Sequence, residues 1–332
     1  MRPEDKLNRG SATVEAQLQR HRLAYGALAA VCAFWGTTYL GIRIALESLP
    51  PLYLIAIRYT ISGSILLVAA AVGGFRLPRG RELMYTAVYG VMCIGIGNSF
   101  LAMAELLIPS GLAALFYTVA PFWMVGIDAF LPGGKRPLAP TLAGLGIGLA
   151  GVVFLVLPAA RHEGINGHTV SGFMLLQLSA VGWVVGSLLQ KRVNASSPAF
   201  VSGAIQQLAA GLAVFVPAAF FERLPQHLTH RSEWAIVYLV IFGSIVGFTA
   251  FIYAMTHLPV AIVSIYTFVN PVVAILLGWL FFREPFGARE LIAMLVIFAG
   301  IALVRWSENR SGRGAQVGLP ENEAEISTDI PA

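Results

Sequence analysis

The sequence repeats itself. In AFWGTTYLGIRIALESLPP, Trp35 is followed eight residues later by Arg43 and fifteen residues later by Pro50, with Pro51 next. In SAVGWVVGSLLQKRVNASSP, Trp183 is followed at the same two spacings by Lys191 and Pro198. Further along, LIPSGLAALFYTVAP (107–121) aligns without a gap with HLPVAIVSIYTFVNP (257–271). Both copies lie in apolar sequence. Two related apolar units pack best around a shared axis, and in a membrane chain that arrangement encloses a site between the halves and points to transport.

Composition places those units in a bilayer. Hydrophobic residues make up 57% of the chain and charged residues 12%, with a mean hydropathy of +0.74. Soluble domains carry about 25% charged residues, so an ordinary soluble globule is excluded. The apolar sequence divides at 24–46, 51–72, 83–105, 108–130, 138–157, 169–192, 198–221, 233–256, 259–281 and 288–306. Each stretch is long enough to cross roughly 30 Å of hydrocarbon. The alternation of barrel strands is absent, which leaves helices to satisfy the backbone in lipid.

The expected fold is an all-α integral membrane domain of ten transmembrane helices. Residues 1–23 form a cytoplasmic tail, 24–157 the first five-helix repeat, 158–168 an external connecting loop and 169–306 the second repeat. The polar segment 307–332, acidic at its end, is expected to be a disordered cytoplasmic tail. Because each repeat has an odd number of spans, the second enters the bilayer inverted, and a central cavity lies between the two.

The formal charge of +5 reports topology rather than nucleic-acid binding. Fifteen of the twenty-two Lys and Arg fall in the tails and in alternate loops, among them Arg76, Arg79, Arg81, Lys135, Arg136, Lys191 and Arg192. Arg43, Arg161, Arg223, Arg231, Arg283 and Arg289 fall on the opposite side. The positive-inside rule puts both termini in the cytoplasm. Cys32 and Cys93 lie in apolar spans without a CxxC or a His partner, so no disulfide, metal or other cofactor is expected. No cleavable leader is expected, since the first 22 residues are polar and the first apolar stretch is too long.

The residues quoted so far resemble the EamA-type family of the drug/metabolite transporter superfamily. FWGTTYLGIRIALESLPPLYLIAIRY is similar to the family's first-repeat signature, and AIVSIYTFVNPVVAILLGWLFFREPFGARELIAMLVIFAGIAL to its second-repeat ending, with Asn-Pro in the ninth helix and Glu-Pro before the tenth. The resemblance covers residues 25–306. It implies ten helices in two inverted bundles, a bacterial inner-membrane location, and export of small metabolites such as amino acids and their analogues. It also implies a cavity lined by the first, third, fourth, sixth, eighth and ninth helices. One departure stands out: where the family often carries an acid in both copies, Glu284 in the second repeat is matched by Gly134 in the first.

Polar groups at membrane depth are the candidates for function, because leaving them unpaired in lipid costs several kcal/mol. Tyr117, Pro121, Met124 and Asp128 form one stripe on the fourth span. Pro121 and its partner Pro271 either kink packed helices or, by freeing a carbonyl one turn back, act at a gate. Asn98 and Glu105 share a face of the third span; Glu105 and Asp128 lie near helix ends, where a carboxylate is either solvated or functional. Arg58, about seven residues into the second span, either snorkels and pairs structurally or holds an anionic substrate group. Its matched position is Gln206. Trp35, Tyr39, Asn98, Tyr117, Trp183, Tyr253, Tyr266 and Asn270 are the candidate substrate-binding residues, offering stacking and a few hydrogen bonds. Gln177, Gln190 and Gln207 are weaker candidates that also suit bonds between helices.

No acid sits at a helix centre, so no dedicated proton relay is visible, and the presence and identity of a coupling ion stay open. The six histidines fall in tails, loops or span ends, and HExxH and embedded GxSxG patterns are absent, which disfavours an intramembrane enzyme. A pump is disfavoured by the lack of a GxxxxGK[ST] loop. The partners expected are a lipid bilayer and a small-molecule substrate; a passive facilitator or channel is the alternative reading.

Overall fold

The structure, a computed structural model, describes residues 3–108, 110–134, 136–163, 167–192, 197–282 and 287–317. Lys135, Arg283 and Glu284 lie outside the described residues. Among the described residues there is no strand. Helices run as α1 (Pro3–Ala45), α2 (Pro51–Val72), α3 (Arg81–Glu105), α4 (Ser110–Tyr117, resuming as Ala120–Phe130) and α5 (Ala139–Glu163). They continue as α6 (Gly167–Arg192), α7 (Ala199–Phe221), α8 (His230–His257), α9 (Val260–Val263, resuming as Tyr266–Phe282) and α10 (Ala288–Val317). Among the described residues, seven helices are long and apolar enough to cross a membrane, and shorter apolar helices occupy Ala120–Phe130, Ala139–Phe154 and Val260–Val273. Helix reaches into both segments expected as tails, since α1 starts at Pro3 and α10 runs to Val317.

Local chemistry sets the ends. Pro51 opens α2 behind an extended Pro50, and Ala199 opens α7 behind an extended Pro198, because proline supplies a helical φ and needs no N–H partner in the first turn. Thr229 caps α8, its hydroxyl accepting from the Ser232 N–H at 3.3 Å. The α2 N-terminus is capped from outside the helix: the Glu222 carboxylate accepts from the Leu52 and Tyr53 N–H groups at 2.9 and 3.0 Å.

Helices α3 and α8 each contain a stretch of π-helix, Val91–Ile96 and Leu239–Val246, that ends at Gly97 and Gly247 respectively. Such widened turns recur at functional sites. α4 stops at Tyr117, four residues before Pro121, whose missing N–H leaves the Tyr117 carbonyl without its usual donor. α9 breaks elsewhere, at Ser264–Ile265, and carries Pro271 inside its longer piece. The two prolines therefore do not act on their helices alike.

Packing pairs the helices in a matched way. α1 lies against α8 and α9; α6, its counterpart, lies against α3 and α4. α2 packs on α7, and α5 on α10. A Cβ on Gly63 of α2 would sit 2.4 Å from the backbone nitrogen of Leu208 on α7, and a Cβ on Gly211 of α7 would sit 2.4 Å from that of Thr60 on α2. Gly63 and Gly211 occupy the same place in the two repeats, as do Thr60 and Leu208, so this contact is made once in each direction. Small residues permit such backbone approach. Bulky apolar side chains such as Val72, Leu212, Val216 and Phe220 cover the outside, as a lipid-facing surface requires.

Candidate functional site

The matched helices meet around a central cavity of about 50 Å³. Its wall is built from Trp35, Thr38 and Tyr39 of α1, Arg58 and Tyr59 of α2, and Gly97, Asn98 and Leu101 of α3. Tyr117 of α4, Ser179 and Trp183 of α6, Gly243 and Phe248 of α8, and Tyr266 and Asn270 of α9 complete it. Ligand pockets commonly span roughly 300–1,000 Å³, so the cavity as it stands has room for a few waters and must widen to admit a metabolite.

Two tryptophans from the matched helices form its floor. The rings of Trp35 and Trp183 meet edge to face, with centroids 5.2 Å apart and planes at 80°. Phe251 packs 5.2 Å from each, and Tyr266 lies edge-on to Trp35 at 5.1 Å. Both tryptophans sit where a glycine faces them. A Cβ on Gly247 would approach Trp35 Nε1 to 2.3 Å, and a Cβ on Gly97 would approach Trp183 Cβ to 3.3 Å. The Trp35 indole N–H donates to the Gly243 carbonyl at 2.9 Å. That carbonyl lies in the π-helical part of α8, where the wider turn loosens the helix's own bonding.

Polar atoms without partners also reach this region. Arg58 is 3% exposed; its Nε donates to Ser244 Oγ at 2.7 Å, while its Nη1 has no hydrogen-bond partner among the described residues. Asn98 Nδ2 and Asn270 Oδ1 are likewise buried and unpartnered. Gly243 makes the space for Arg58, since a Cβ there would lie 2.5 Å from Nη2. Ser179 donates to the Gly97 carbonyl at 2.6 Å and so ties α6 to the end of the π-helical stretch in α3.

Two equivalent bonds stand at the C-terminal ends of the matched helices α1 and α6. Arg43 Nη1, at the end of α1, donates to the carbonyls of Glu105 and Ile108 at 2.8 and 3.3 Å. Lys191 Nζ, at the matched place in α6, donates to the carbonyl of Leu258 at 2.7 Å. Ile108 and Leu258 correspond in the aligned repeats. A cation from the first helix of each repeat thus satisfies carbonyls left open where the third helix ends.

Of the candidate substrate residues, Trp35, Tyr39, Asn98, Tyr117, Trp183, Tyr266 and Asn270 come together in the cavity wall. Tyr253 does not; it stacks on His257 at 4.2 Å in an outer groove between α1, α6, α7 and α8. Pro121 and Pro271 are buried but stand off the wall. Asp128 stands outside the cavity wall, in a separate groove where it pairs with Arg192 at 2.8 Å, and Arg192 also donates to the Pro132 carbonyl at 3.2 Å. These contacts brace the turn at Gly134, where any side chain is excluded: a Cβ would fall 1.7 Å from the Asp128 carbonyl oxygen.

Glu105 differs from a solvated helix end. It is 0% exposed and neither carboxylate oxygen has a hydrogen-bond partner among the described residues, because α1 and the Arg43 side chain cover the end of α3. Two of the glutamines bond between helices: Gln207 accepts from Ser62 and donates to the Ser244 carbonyl, and Gln177 accepts from the Trp123 indole, whereas Gln190 Oε1 is buried with no hydrogen-bond partner among the described residues. Thr38, Ser179 and Phe248 line the cavity without having stood out in the sequence, since small hydroxyls and a single Phe carry no signal in apolar helices.

Comparison with known proteins agrees with this architecture. A solved crystal structure superposes with a TM-score of 0.73 at 26% identity, covering 86% of this chain and 98% of the other. The uncharacterized inner membrane transporter YedA of Escherichia coli K12 is 32% identical over 282 residues, 84% of this chain and 90% of YedA. Protein PecM of Dickeya dadantii is 27% identical, covering 82% of this chain and 88% of its own length. The WAT1-related protein At3g02690 of Arabidopsis thaliana is 25% identical over 83% of this chain and 67% of its own. The pattern of the EamA-like transporter family matches twice, at residues 22–157 and 170–306, and the chain belongs to that family.

Proposed function

We propose that the chain is a secondary transporter that exports small metabolites, such as amino acids or amphipathic analogues, by alternating access. On this reading ten spans cross the bacterial inner membrane with both termini in the cytoplasm. Residues 24–157 and 169–306 are the inverted repeats, joined by the external segment 158–168, and 1–23 and 307–332 lie on the cytoplasmic side. The observation that carries the reading is the cavity between matched helices, with an equivalent cation-to-carbonyl bond at the C-terminal end of each first helix: Arg43 to Glu105 and Ile108, Lys191 to Leu258.

In an inverted repeat, equivalent contacts fall on opposite faces of the membrane and break one at a time as the halves rock. Arg43 then holds the external end shut and Lys191 the cytoplasmic end. Between them Trp35, Tyr39, Tyr117, Trp183 and Tyr266 offer aromatic faces, and Asn98 and Asn270 offer open hydrogen-bonding atoms. The name of the relative YedA, an inner membrane transporter, supports the location.

The test is uptake of labelled amino acids and related metabolites into proteoliposomes, with and without a pH gradient, beside a Tyr117→Ala control. Saturable flux of one chemical class, lost in the control, is expected. Accumulation only under the gradient would identify proton coupling. Flux unaffected by Tyr117→Ala would remove the cavity from the path.

A further inference from the structure

Arg58 is a buried cation without a counter-charge among the described residues. Among the described residues no carboxylate lies within 4.0 Å of its guanidinium; the recorded ion pairs join Arg192 to Asp128, His230 to Glu233 and Arg231 to Glu47. Its neighbours are the Ser244 hydroxyl at 2.7 Å and the Tyr59 ring at 4.7 Å. Nη1 is left open, and the group borders the cavity. A buried charge missing its partner is strongly unfavourable, and a guanidinium in that position is best completed by a carboxylate that takes two parallel N–H bonds.

Packing does not demand the charge. The matched position in the second repeat, Gln206, is equally buried and carries a neutral amide. On the α8 side, Gly243 is shaped around the guanidinium, whose Nη2 occupies the space its side chain would fill. The opening beside Arg58 is rimmed by the unpartnered Asn98 amide and by the aromatic faces of Trp35 and Trp183.

We propose that Arg58 is the anion-binding point of the cavity and that the ligand is a small carboxylate with an apolar body. The carboxylate completes the Arg58 and Asn98 donors, and the apolar body lies against Trp35, Trp183 and Tyr266. This rests on the reading of the cavity as a substrate site.

The experiment titrates the purified full-length chain with matched pairs, following tryptophan fluorescence: L-leucine against L-leucinamide, L-phenylalanine against L-phenylalaninamide, and isovalerate against isovaleramide. At least one acid should bind about tenfold or more tightly than its amide, as loss of a charge-assisted pair predicts. Arg58→Gln should erase that preference and Arg58→Lys should keep part of it. Equal binding of acids and amides by the wild type overturns the proposal whether or not the variants fold. So does a preference that survives Arg58→Gln, or no binding of any acid at millimolar concentration. The same pairs in proteoliposomes separate the two readings: an acid that binds but never crosses sinks transport and spares Arg58, whereas amides that cross as fast as acids do the reverse.

Discussion

Removing one end bond should tilt the transporter toward the face that bond closes. Lys191→Met keeps the apolar stem and deletes the 2.7 Å donation to the Leu258 carbonyl. A hydrogen bond from a charged donor contributes about 1.5–3 kcal/mol, and partial exposure favours the lower end. At about 1.5 kcal/mol the balance between the cytoplasm-open state and the closed one shifts roughly tenfold. Arg43 makes two donations, to Glu105 and Ile108, so Arg43→Met should shift the external opening by about tenfold to a hundredfold. Pairing it with Glu105→Gln avoids stranding the buried carboxylate.

The assay places a reporter cysteine at Leu101, on the cavity wall, with Cys32 and Cys93 replaced by serine. A membrane-impermeant maleimide is applied to inverted vesicles and to intact cells. Lys191→Met should speed labelling from the cytoplasmic face alone, and Arg43→Met from the outer face alone. Acceleration from the same face in both variants, or in neither, would refute the assignment of these bonds to opposite gates.

Other consequences follow from the same geometry. Gly63→Ala and Gly211→Ala each force a Cβ to 2.4 Å from backbone on the facing helix and should cost about 1–3 kcal/mol, lowering the melting temperature in detergent. Gly126→Ala and Gly146→Ala meet open space and should leave the melting temperature unchanged or raise it slightly, for a gain in stability of about 1 kcal/mol at most. Glu222→Ala uncaps the α2 N-terminus and should cost about 1–2 kcal/mol in the same melt. Asp128→Asn breaks a partly exposed pair with Arg192 and should cost no more than about 1 kcal/mol, with flux retained.

Much of the site was legible because position along a repeat is a one-dimensional property. Trp35 and Trp183 announce themselves by their shared spacing to Arg43 and Lys191, and the structure sets the two rings edge to face. Asn98, Tyr117, Tyr266 and Asn270 were legible as polar or amphipathic groups at membrane depth, and all four reach the cavity wall. Tyr253 drops out because it lines the outer groove, where it stacks on His257, while Phe248 of the same helix takes the cavity wall.

What escaped the sequence depends on which helix faces which. Glu105 reads as a solvated helix end until α1 is seen to cover it, and nothing near Leu52 marks Glu222 as its cap from 170 residues away. The ambiguity at Arg58 had the same origin. Its side chain is defined by Ser244 and Gly243, both on a helix of the other repeat. The unequal breaks in α4 and α9 were hidden too, since Pro121 and Pro271 align perfectly while the backbone around them does not.

The central claim is that one cavity serves both faces in turn, and counterflow tests it most directly. Proteoliposomes preloaded with an unlabelled amino acid that the carrier accepts are diluted into a trace of the same compound carrying a label. Alternating access predicts a transient accumulation of label above equilibrium, several times faster than in empty vesicles and abolished by Tyr117→Ala. Label that only equilibrates, at a rate indifferent to what lies inside, would contradict the account and favour a passive pore.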